Sequence, residues 1–226
     1  PDAIRFYLAS VMPETSDTNF SWEGFVQRNN NELVAVWGNL VNRAISFTAK
    51  RFGEVPLQGE LDEVDEQMLA QAEAVFDTVG EQLAQAQFRA ALSAALDVAR
   101  EANRYLEVKA PWKQIKEDRA AAGTTLNVVL QVINALKVVF APFLPFSSER
   151  LHEMLGYGTP LFGEQYIEEV EGEGRPHSVL RYNPEPASGA WAFSLLPGGR
   201  TLAKPKPLFK KLDEEIIEEE TARLGA

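Results

Sequence analysis

Apolar residues recur three and four positions apart along most of the first 156 residues, which is the period of amphipathic helices. The clearest pattern predicts a long helix that begins after Ser21 and ends before Gly53 and Pro56. Its apolar stripe consists of Leu33, Val36, Trp37, Leu40, Val41, Ala44, Ile45 and Thr48. We expect a short helix over residues 3–8 to precede it, with Asp2 as the N-terminal cap.

The same period predicts further helices towards residue 156. They cover residues 62–79, residues 84–108, residues 113–122, a segment from Thr124 to the prolines Pro142 and Pro145, and a segment from Ser147 to Gly156. We expect Gly80, Pro111 and Gly123 to end the first three, and Thr124 to cap the fourth. The pattern therefore predicts an all-α fold, an antiparallel helix bundle.

The pattern changes after residue 156, where the helical period is lost and Pro and Gly become frequent. We expect residues 157–207 to be an extended, loop-rich tail, with one short strand over 166–170 and an acidic helix over 208–226. The predicted domains are therefore a helical bundle over 1–156 and a tail with a C-terminal helix over 157–226.

Charge and composition narrow the function classes. The chain has 226 residues and a formal net charge of −11, which argues against a protein that coats nucleic acid through bulk positive charge. Most carboxylates lie in the segments 60–81, 164–173 and 213–220, which contain no Lys or Arg, so the rest of the chain is net basic. The absence of Cys excludes disulfides and thiolate metal sites, and we expect no metal site.

Neither targeting nor catalytic signals stand out in the sequence. No signal peptide and no apolar run long enough to span a bilayer is evident, so we expect a cytoplasmic protein without a membrane partner. No phosphate-binding Gly-rich loop or nucleophile motif is present, and His152 and His177 are expected to be packing or surface residues. We therefore expect no catalytic residues in this chain.

One polar pair lies in the same long helix, outside its apolar stripe. Asn39 and Arg43 are four residues apart, so their side chains project from the same face, one turn from each other. An amide beside a guanidinium offers an acceptor and a planar fork of donors, which suits the edge of a nucleic-acid base. A simple hydrogen bond on the helix surface is the alternative explanation, and for this pair taken by itself it is the simpler one.

A second candidate site follows the predicted end of a helix at Pro111. Trp112 comes directly after this proline and is flanked by Lys109 and Lys113. An aromatic ring beside cations is a common way to hold unstacked single-stranded bases. Packing of Trp112 against the bundle core is the alternative explanation.

In combination, these motifs resemble the C-terminal half of methionyl-tRNA synthetases. The resemblance rests on residues 2–8, 20–25, 38–43, 109–112 and 143–147, and on the tail segments 195–197 and 204–209. The Asn-Leu-Val-Asn-Arg helix, the Ala-Pro-Trp turn and the Lys-Pro-Lys-Pro-Leu-Phe tail are specific when they occur together.

The resemblance implies a domain that binds the anticodon CAU of methionine-accepting tRNA. It implies that Asn39 and Arg43 hydrogen-bond to anticodon bases, chiefly the first-position cytosine, and that Trp112 stacks on unstacked bases while Pro111 sets the turn. Further candidate RNA contacts are Asn42, Lys109 and Lys113.

The family's catalytic motifs, resembling His-Ile-Gly-His and Lys-Met-Ser-Lys-Ser, do not occur in this chain. The resemblance therefore implies a parent enzyme that joins methionine to its tRNA with ATP and Mg²⁺, and with Zn²⁺ where a zinc knuckle is present. It implies that residues 1–20 link this domain to the catalytic domain of the same chain, and that the fragment alone is inactive. Two alternatives stay open: a helical module that docks a protein partner without binding RNA, and the equivalent domain of another class I synthetase.

Overall fold

The structure is a computed structural model that describes residues 1–14, 16–172 and 174–224. It is mostly helical, which confirms the predicted fold class. The elements are α1 (Asp2–Ser10), α2 (Trp22–Arg28), a π-helical segment (Asn29–Gly38), α3 (Asn39–Arg51), α4 (Glu63–Ala84), α5 (Phe88–Lys109), α6 (Pro111–Gln114), α7 (Arg119–Val139), α8 (Pro145–Met154), β1 (Glu164–Gly172), β2 (Arg175–Asn183) and α9 (Glu215–Leu224).

The centre of the bundle is α7, which is buried on all sides. It packs against α3, α4, α5 and α8. Among the described residues, α7 is the helix that is long and apolar enough to cross a membrane, although the sequence analysis found no such segment. However, 94% of its most apolar stretch is buried inside the protein. The helix is mostly apolar, and its buried polar side chains such as Asn127 and Gln131 donate to backbone carbonyls, as burial in a bundle core requires.

Four helix ends meet at one end of the bundle. The Arg119 guanidinium at the start of α7 donates to the Arg51 carbonyl at the end of α3, at 2.7 Å. The Tyr105 hydroxyl near the end of α5 donates to Asp65 near the start of α4, also at 2.7 Å. This end of the bundle carries the turn at Pro111, and thus one of the two predicted sites.

The predicted long helix after Ser21 is continuous, although its middle is π-helical. The Ser21 hydroxyl accepts a hydrogen bond from the Gly24 backbone N–H, which confirms the predicted cap. The helix ends at Arg51, and Gly53 takes a left-handed conformation with φ of 79°.

Two predicted caps are wrong. Asp2 is the first residue of α1 and does not cap it; its carboxylate accepts from the backbone N–H and the hydroxyl of Ser147, both at 2.6 Å, at the start of α8. The start of α7 is capped by Asp118 instead of Thr124, because the Asp118 carboxylate accepts from two backbone N–H groups in the first turn. The helix predicted over 113–122 is therefore replaced by the short α6 and the first turn of α7.

Two glycines that were predicted to end helices lie inside them instead. Gly123 is within α7, where the aromatic ring of Phe52 and the ring of Pro56 pack against it. Gly80 is within α4, and a Cβ there would lie 3.1 Å from the indole nitrogen of Trp191, which donates to the Phe76 carbonyl. Both glycines therefore make room for a neighbouring ring. Because Gly80 does not end α4, this helix continues to Ala84, and α5 begins at Phe88, four residues later than predicted.

The tail contains more regular structure than the sequence predicted. The expected strand over 166–170 is part of β1, which pairs with β2 in an antiparallel hairpin. The rest of the tail returns to the bundle, where the three leucines Leu196, Leu202 and Leu208 join the core. The predicted C-terminal helix begins at Glu215, and residues 225–226 lie outside the described part of the chain. The division into domains at residue 156 stays a prediction.

Candidate nucleic-acid interface

Asn39 is the first residue of α3, and Arg43 follows one turn later. Asn39 is exposed, and Arg43 is partly buried. The opposite face of α3 packs into the core through Leu40, Val41, Ala44, Ile45 and Thr48. Because this apolar face fixes the rotation of the helix about its axis, Asn39 and Arg43 are held at the protein surface.

The π-helical segment before Asn39 is held by α5. The Asn103 side-chain amide donates to the carbonyl of Val36 at 3.1 Å and to that of Ala99 at 3.0 Å. A π-helical stretch of ten residues is unusual and often occurs at functional sites. Asn103 thus couples the start of α3, and with it Asn39, to α5.

The turn after α5 is built by Ala110 and Pro111. Ala110 takes a left-handed conformation with φ of 44°, and Pro111 is buried as the first residue of α6. Proline suits that position because the first N–H groups of a helix have no partner within the helix. Trp112 follows, half-buried and packed against the edge of the core. Its indole therefore lies at the boundary between the core and the surface.

Arg43 and Trp112, predicted from separate motifs, lie in contact. The Arg43 guanidinium carbon is 5.0 Å from the centroid of the Trp112 ring, within the range of a cation–π interaction. The same guanidinium lies 3.9 Å from the Glu107 carboxylate, which is largely exposed. The structure therefore places a cation, an aromatic ring and an adjacent amide on one surface, and their role in binding RNA stays a prediction.

The other candidate contacts have different surroundings. Asn42 is exposed, and its side-chain oxygen accepts from the Ser46 hydroxyl at 3.1 Å. Lys113 is exposed. Lys109 is largely buried, and its ammonium lies 2.6 Å from the Asp62 carboxylate and 2.8 Å from that of Asp65.

The ion pairs of Lys109 change the acid–base properties of the cluster. Burial alone would lower the pKa of Lys109, but hydrogen bonds and attraction from Asp62 and Asp65 outweigh it and raise the pKa. The hydrogen bond from Lys109 is the main cause that lowers the pKa of Asp62. Burial, together with the hydrogen bond to Asp65, raises the pKa of Tyr105. The pairing therefore keeps the Asp62 carboxylate and the Lys109 ammonium charged at neutral pH.

Sequence reasoning missed two residues that shape this surface, Asn103 and Glu107. They are four residues apart on α5, one facing Val36 and the other facing Arg43. The signal was a polar pair with helical spacing beside the apolar stripe of α5, which is the same pattern that identified Asn39 and Arg43.

The histidines take no part in this surface. His152 is buried, stacked on Tyr157 at 4.0 Å between ring centroids, and its Nδ1 lies 2.9 Å from the Lys137 ammonium. His177 lies on β2. Within residues 1–14, 16–172 and 174–224, no group of three or more His, Asp or Glu side chains converges in a way that could hold a metal ion.

Comparison with known proteins gives the family. A family model described as the anticodon binding domain of methionyl tRNA ligase matches residues 55–171, and one described as tRNA synthetases class I (M) matches residues 1–45. The fold and these matches define the class, that of helical anticodon-binding domains of class I tRNA synthetases. Within this class, the chain belongs to the family of anticodon-binding domains of methionyl tRNA ligase.

Curated relatives and solved structures agree with this family. The chain is 52% identical to a Methionine–tRNA ligase of Thermomicrobium roseum over 100% of its own length and 39% of the relative. It is 51% identical to the Methionine–tRNA ligase of Chloroflexus aggregans, over 99% of its own length and 37% of the relative. The apo structure of the Mycobacterium tuberculosis methionyl-tRNA synthetase matches 94% of the chain and 39% of that structure, with a TM-score of 0.78 and 27% identity. The chain thus spans less than two-fifths of the length of these proteins.

Proposed function

We propose that this chain binds the anticodon loop of methionine-accepting tRNA and recognises the anticodon CAU. Asn39 and Arg43 hydrogen-bond to the first-position cytosine, Trp112 stacks on an unstacked base, and Pro111 fixes the turn that presents the indole. The observation that carries the proposal is the 5.0 Å contact between Arg43 and Trp112, which come from distant parts of the sequence. Sequence-specific RNA recognition commonly combines such stacking with hydrogen bonds to unpaired bases.

The chemistry of the two polar side chains favours cytosine. A guanidinium can only donate, so Arg43 suits the two acceptors on the Watson–Crick edge of cytosine. The amide oxygen of Asn39 can accept from the exocyclic amino group, which uracil lacks. Uracil also presents an N–H where cytosine presents an acceptor, so it would leave one Arg43 donor without a partner. A pyrimidine exchange at this position should therefore be costly.

The remaining candidate residues have supporting roles in this proposal. Lys113 is exposed next to Trp112 and is suited to contact a phosphate of the bound loop. Asn42 is exposed on the same helix and can contact RNA only alongside its hydrogen bond with Ser46. Lys109 is left out of the RNA contacts, because its ammonium is already paired with two carboxylates.

The function of the whole protein is part of the proposal. Relatives named Methionine–tRNA ligase are more than twice as long as this chain. We infer a cytoplasmic parent enzyme that uses ATP and Mg²⁺ to attach methionine to its tRNA, with a catalytic domain in the same chain as partner. The present chain binds and positions the RNA and does not carry out the reaction by itself.

A titration with RNA stem-loops tests the proposal. Isothermal titration calorimetry at low salt would compare a CAU anticodon stem-loop with stem-loops that carry UAU or CUA. We expect the CAU stem-loop to bind more tightly than the others, since each wrong base typically costs about 1–3 kcal/mol in nucleic-acid recognition. Equal affinity for all three, or no binding, would refute anticodon recognition by this chain.

A further inference from the structure

Lys109 lies at the point where α5 ends and the turn to Trp112 begins. It is the last residue of α5, and the next residue, Ala110, takes the left-handed conformation with φ of 44°. Its side chain is 12% exposed, and its ammonium is held by Asp62 and Asp65 at 2.6 and 2.8 Å. A lysine that binds a phosphate would have to give up both of these carboxylates first.

The two carboxylates are themselves fixed by the backbone of α4. Asp62 caps this helix, and its Oδ1 accepts from the N–H groups of Val64 and Asp65. In the reciprocal hydrogen bond, Asp65 Oδ2 accepts from the Asp62 backbone N–H at 3.1 Å. This capping box leaves Asp62 Oδ2 and Asp65 Oδ1 directed at Lys109. The lysine is therefore joined to the rigid first turn of a neighbouring helix.

Tyr105 adds a second bond between the same two helices. Its hydroxyl donates to Asp65 Oδ1 at 2.7 Å, one turn before Lys109 on α5. Asp65 is 3% exposed, so the interaction is shielded from water and from salt. The last turn of α5 is thus bonded to the first turn of α4 through buried polar groups.

The turn that follows needs such support. A left-handed conformation is unfavourable for alanine and persists only where the surrounding structure holds it. We propose that Lys109 is a positioning residue, whose ion pairs with Asp62 and Asp65 hold the Ala110–Pro111 turn so that Trp112 stays against Arg43. The inference rests on the proposed function, since it assigns to Lys109 the placing of the ring on which a base stacks.

The test separates positioning from direct contact with RNA. Lys109→Met keeps the length of the apolar side chain and removes its charge, and Lys116→Met removes the same charge from an exposed position as the matched control. Affinity for the CAU stem-loop is measured over a series of salt concentrations. The 19F NMR spectrum of the fluorotryptophan-labelled chain reports separately on its four tryptophans.

We expect Lys109→Met to weaken CAU binding about tenfold, part of what stacking on the indole is worth. The slope of affinity against salt should not change, and the Trp112 resonance alone should shift. Lys109→Arg should restore most of the affinity. A slope reduced by about 0.7, as expected for one lost phosphate contact on a single strand, would overturn the inference, as would a shift of all four resonances.

Two more variants complete the test. Asp62→Asn shows whether an effect of Lys109→Met comes only from loss of folding, and Trp112→Ala separates this inference from the proposed function. Asp62→Asn keeps the cap and removes only the outer, largely exposed carboxylate, so it should fold and weaken CAU binding by a smaller factor. If Trp112→Ala weakens binding while neither Lys109→Met nor Asp62→Asn does, this inference is wrong and anticodon recognition stands. If none of the three variants weakens binding, both fail.

Discussion

The guanidinium of Arg43 lies over the ring of Trp112, with 5.0 Å between the guanidinium carbon and the ring centroid. The two residues are far apart in the sequence and lie beside the place where α5 contacts the long helix, through Asn103 to Val36 and Glu107 to Arg43. A cation–π contact at a partly exposed position is worth about 0.5–1 kcal/mol. It therefore favours this orientation of both groups before RNA binds, which lowers the cost of ordering them on binding.

Replacing the indole tests its role as a stacking surface. We expect Trp112→Ala to weaken binding of the CAU stem-loop by about 1–3 kcal/mol, the typical value for a base stacked on an aromatic side chain. Trp112→Phe should lose less, because a smaller aromatic face is kept. Calorimetry measures both, with Trp191→Phe as the control at the distant Phe76 contact. An unchanged affinity for Trp112→Ala would show that the ring is a packing residue.

Arg43 is expected to carry specificity in addition to affinity. Arg43→Ala should weaken binding of the CAU stem-loop by more than it weakens binding of a UAU stem-loop. The reason is that only cytosine offers the Arg43 guanidinium two acceptors on its Watson–Crick edge. Arg43→Lys keeps the charge and loses the planar fork of donors, so it should also lose discrimination. The measurement is the ratio of the affinities for the CAU and UAU stem-loops, compared between the wild type and each variant. Equal losses on both stem-loops would indicate a contact with phosphate.

Much of the fold could be predicted because helices leave a periodic signal in the sequence. The apolar stripe around Leu40 and the Ser21 cap depend only on residues close in sequence, and both were found. Asp2 was misjudged because its partner, Ser147, is distant in sequence. Gly80 was misjudged for the same reason, since Trp191 comes from the tail. Tertiary contacts decide such positions, and local patterns do not contain them.

The candidate site could be predicted in part. Asn39, Arg43 and Trp112 were identified from residue type and spacing, and the structure places Arg43 against Trp112. The setting of Lys109 could not be predicted, because a lysine beside a tryptophan looks the same in sequence whether it faces solvent or a buried carboxylate such as Asp65. The hairpin strand β2 was missed because Pro176 and scattered polar residues obscure its alternation.

Glycine inside a helix gives a prediction about stability. Gly123 lies within α7, and an added Cβ would make only ordinary contacts, 3.4 Å from Pro56 and 3.5 Å from Phe52. Gly123→Ala should therefore raise the free energy of unfolding by about 0.5–1 kcal/mol, since alanine loses less backbone entropy in a helix. Urea denaturation measures the change.

The matched control is a glycine whose conformation alanine cannot adopt easily. Gly156 has φ of 82°, and a Cβ there would overlap the Thr201 carbonyl oxygen. Gly156→Ala should lower the free energy of unfolding, the opposite sign to Gly123→Ala. A decrease for Gly123→Ala would mean that Phe52 and Pro56 cannot accommodate the methyl group.

The buried His152 predicts how stability depends on pH. Burial, with a smaller effect from the charge of Lys137, lowers the pKa of His152 from 6.5 to about 4. Between these values the unfolded chain holds a proton that the folded chain does not, so the free energy of unfolding falls as the pH drops from about 6.5 to about 4. Each pKa unit corresponds to about 1.4 kcal/mol, which makes about 3–4 kcal/mol an upper limit.

Comparison with a His152→Gln variant isolates this effect. Glutamine can accept from Lys137 and donate to Ser188, the two partners of His152, but it does not titrate. Carboxylates titrate equally in both proteins, and Lys137, whose pKa burial lowers to about 7, stays largely protonated in this range. Urea denaturation at pH 4.5, 5.5 and 6.5 should therefore show the wild type losing more stability than the variant. Parallel losses in the two proteins would mean that His152 takes up its proton without cost, and that its stacking on Tyr157 does not exclude the charged form.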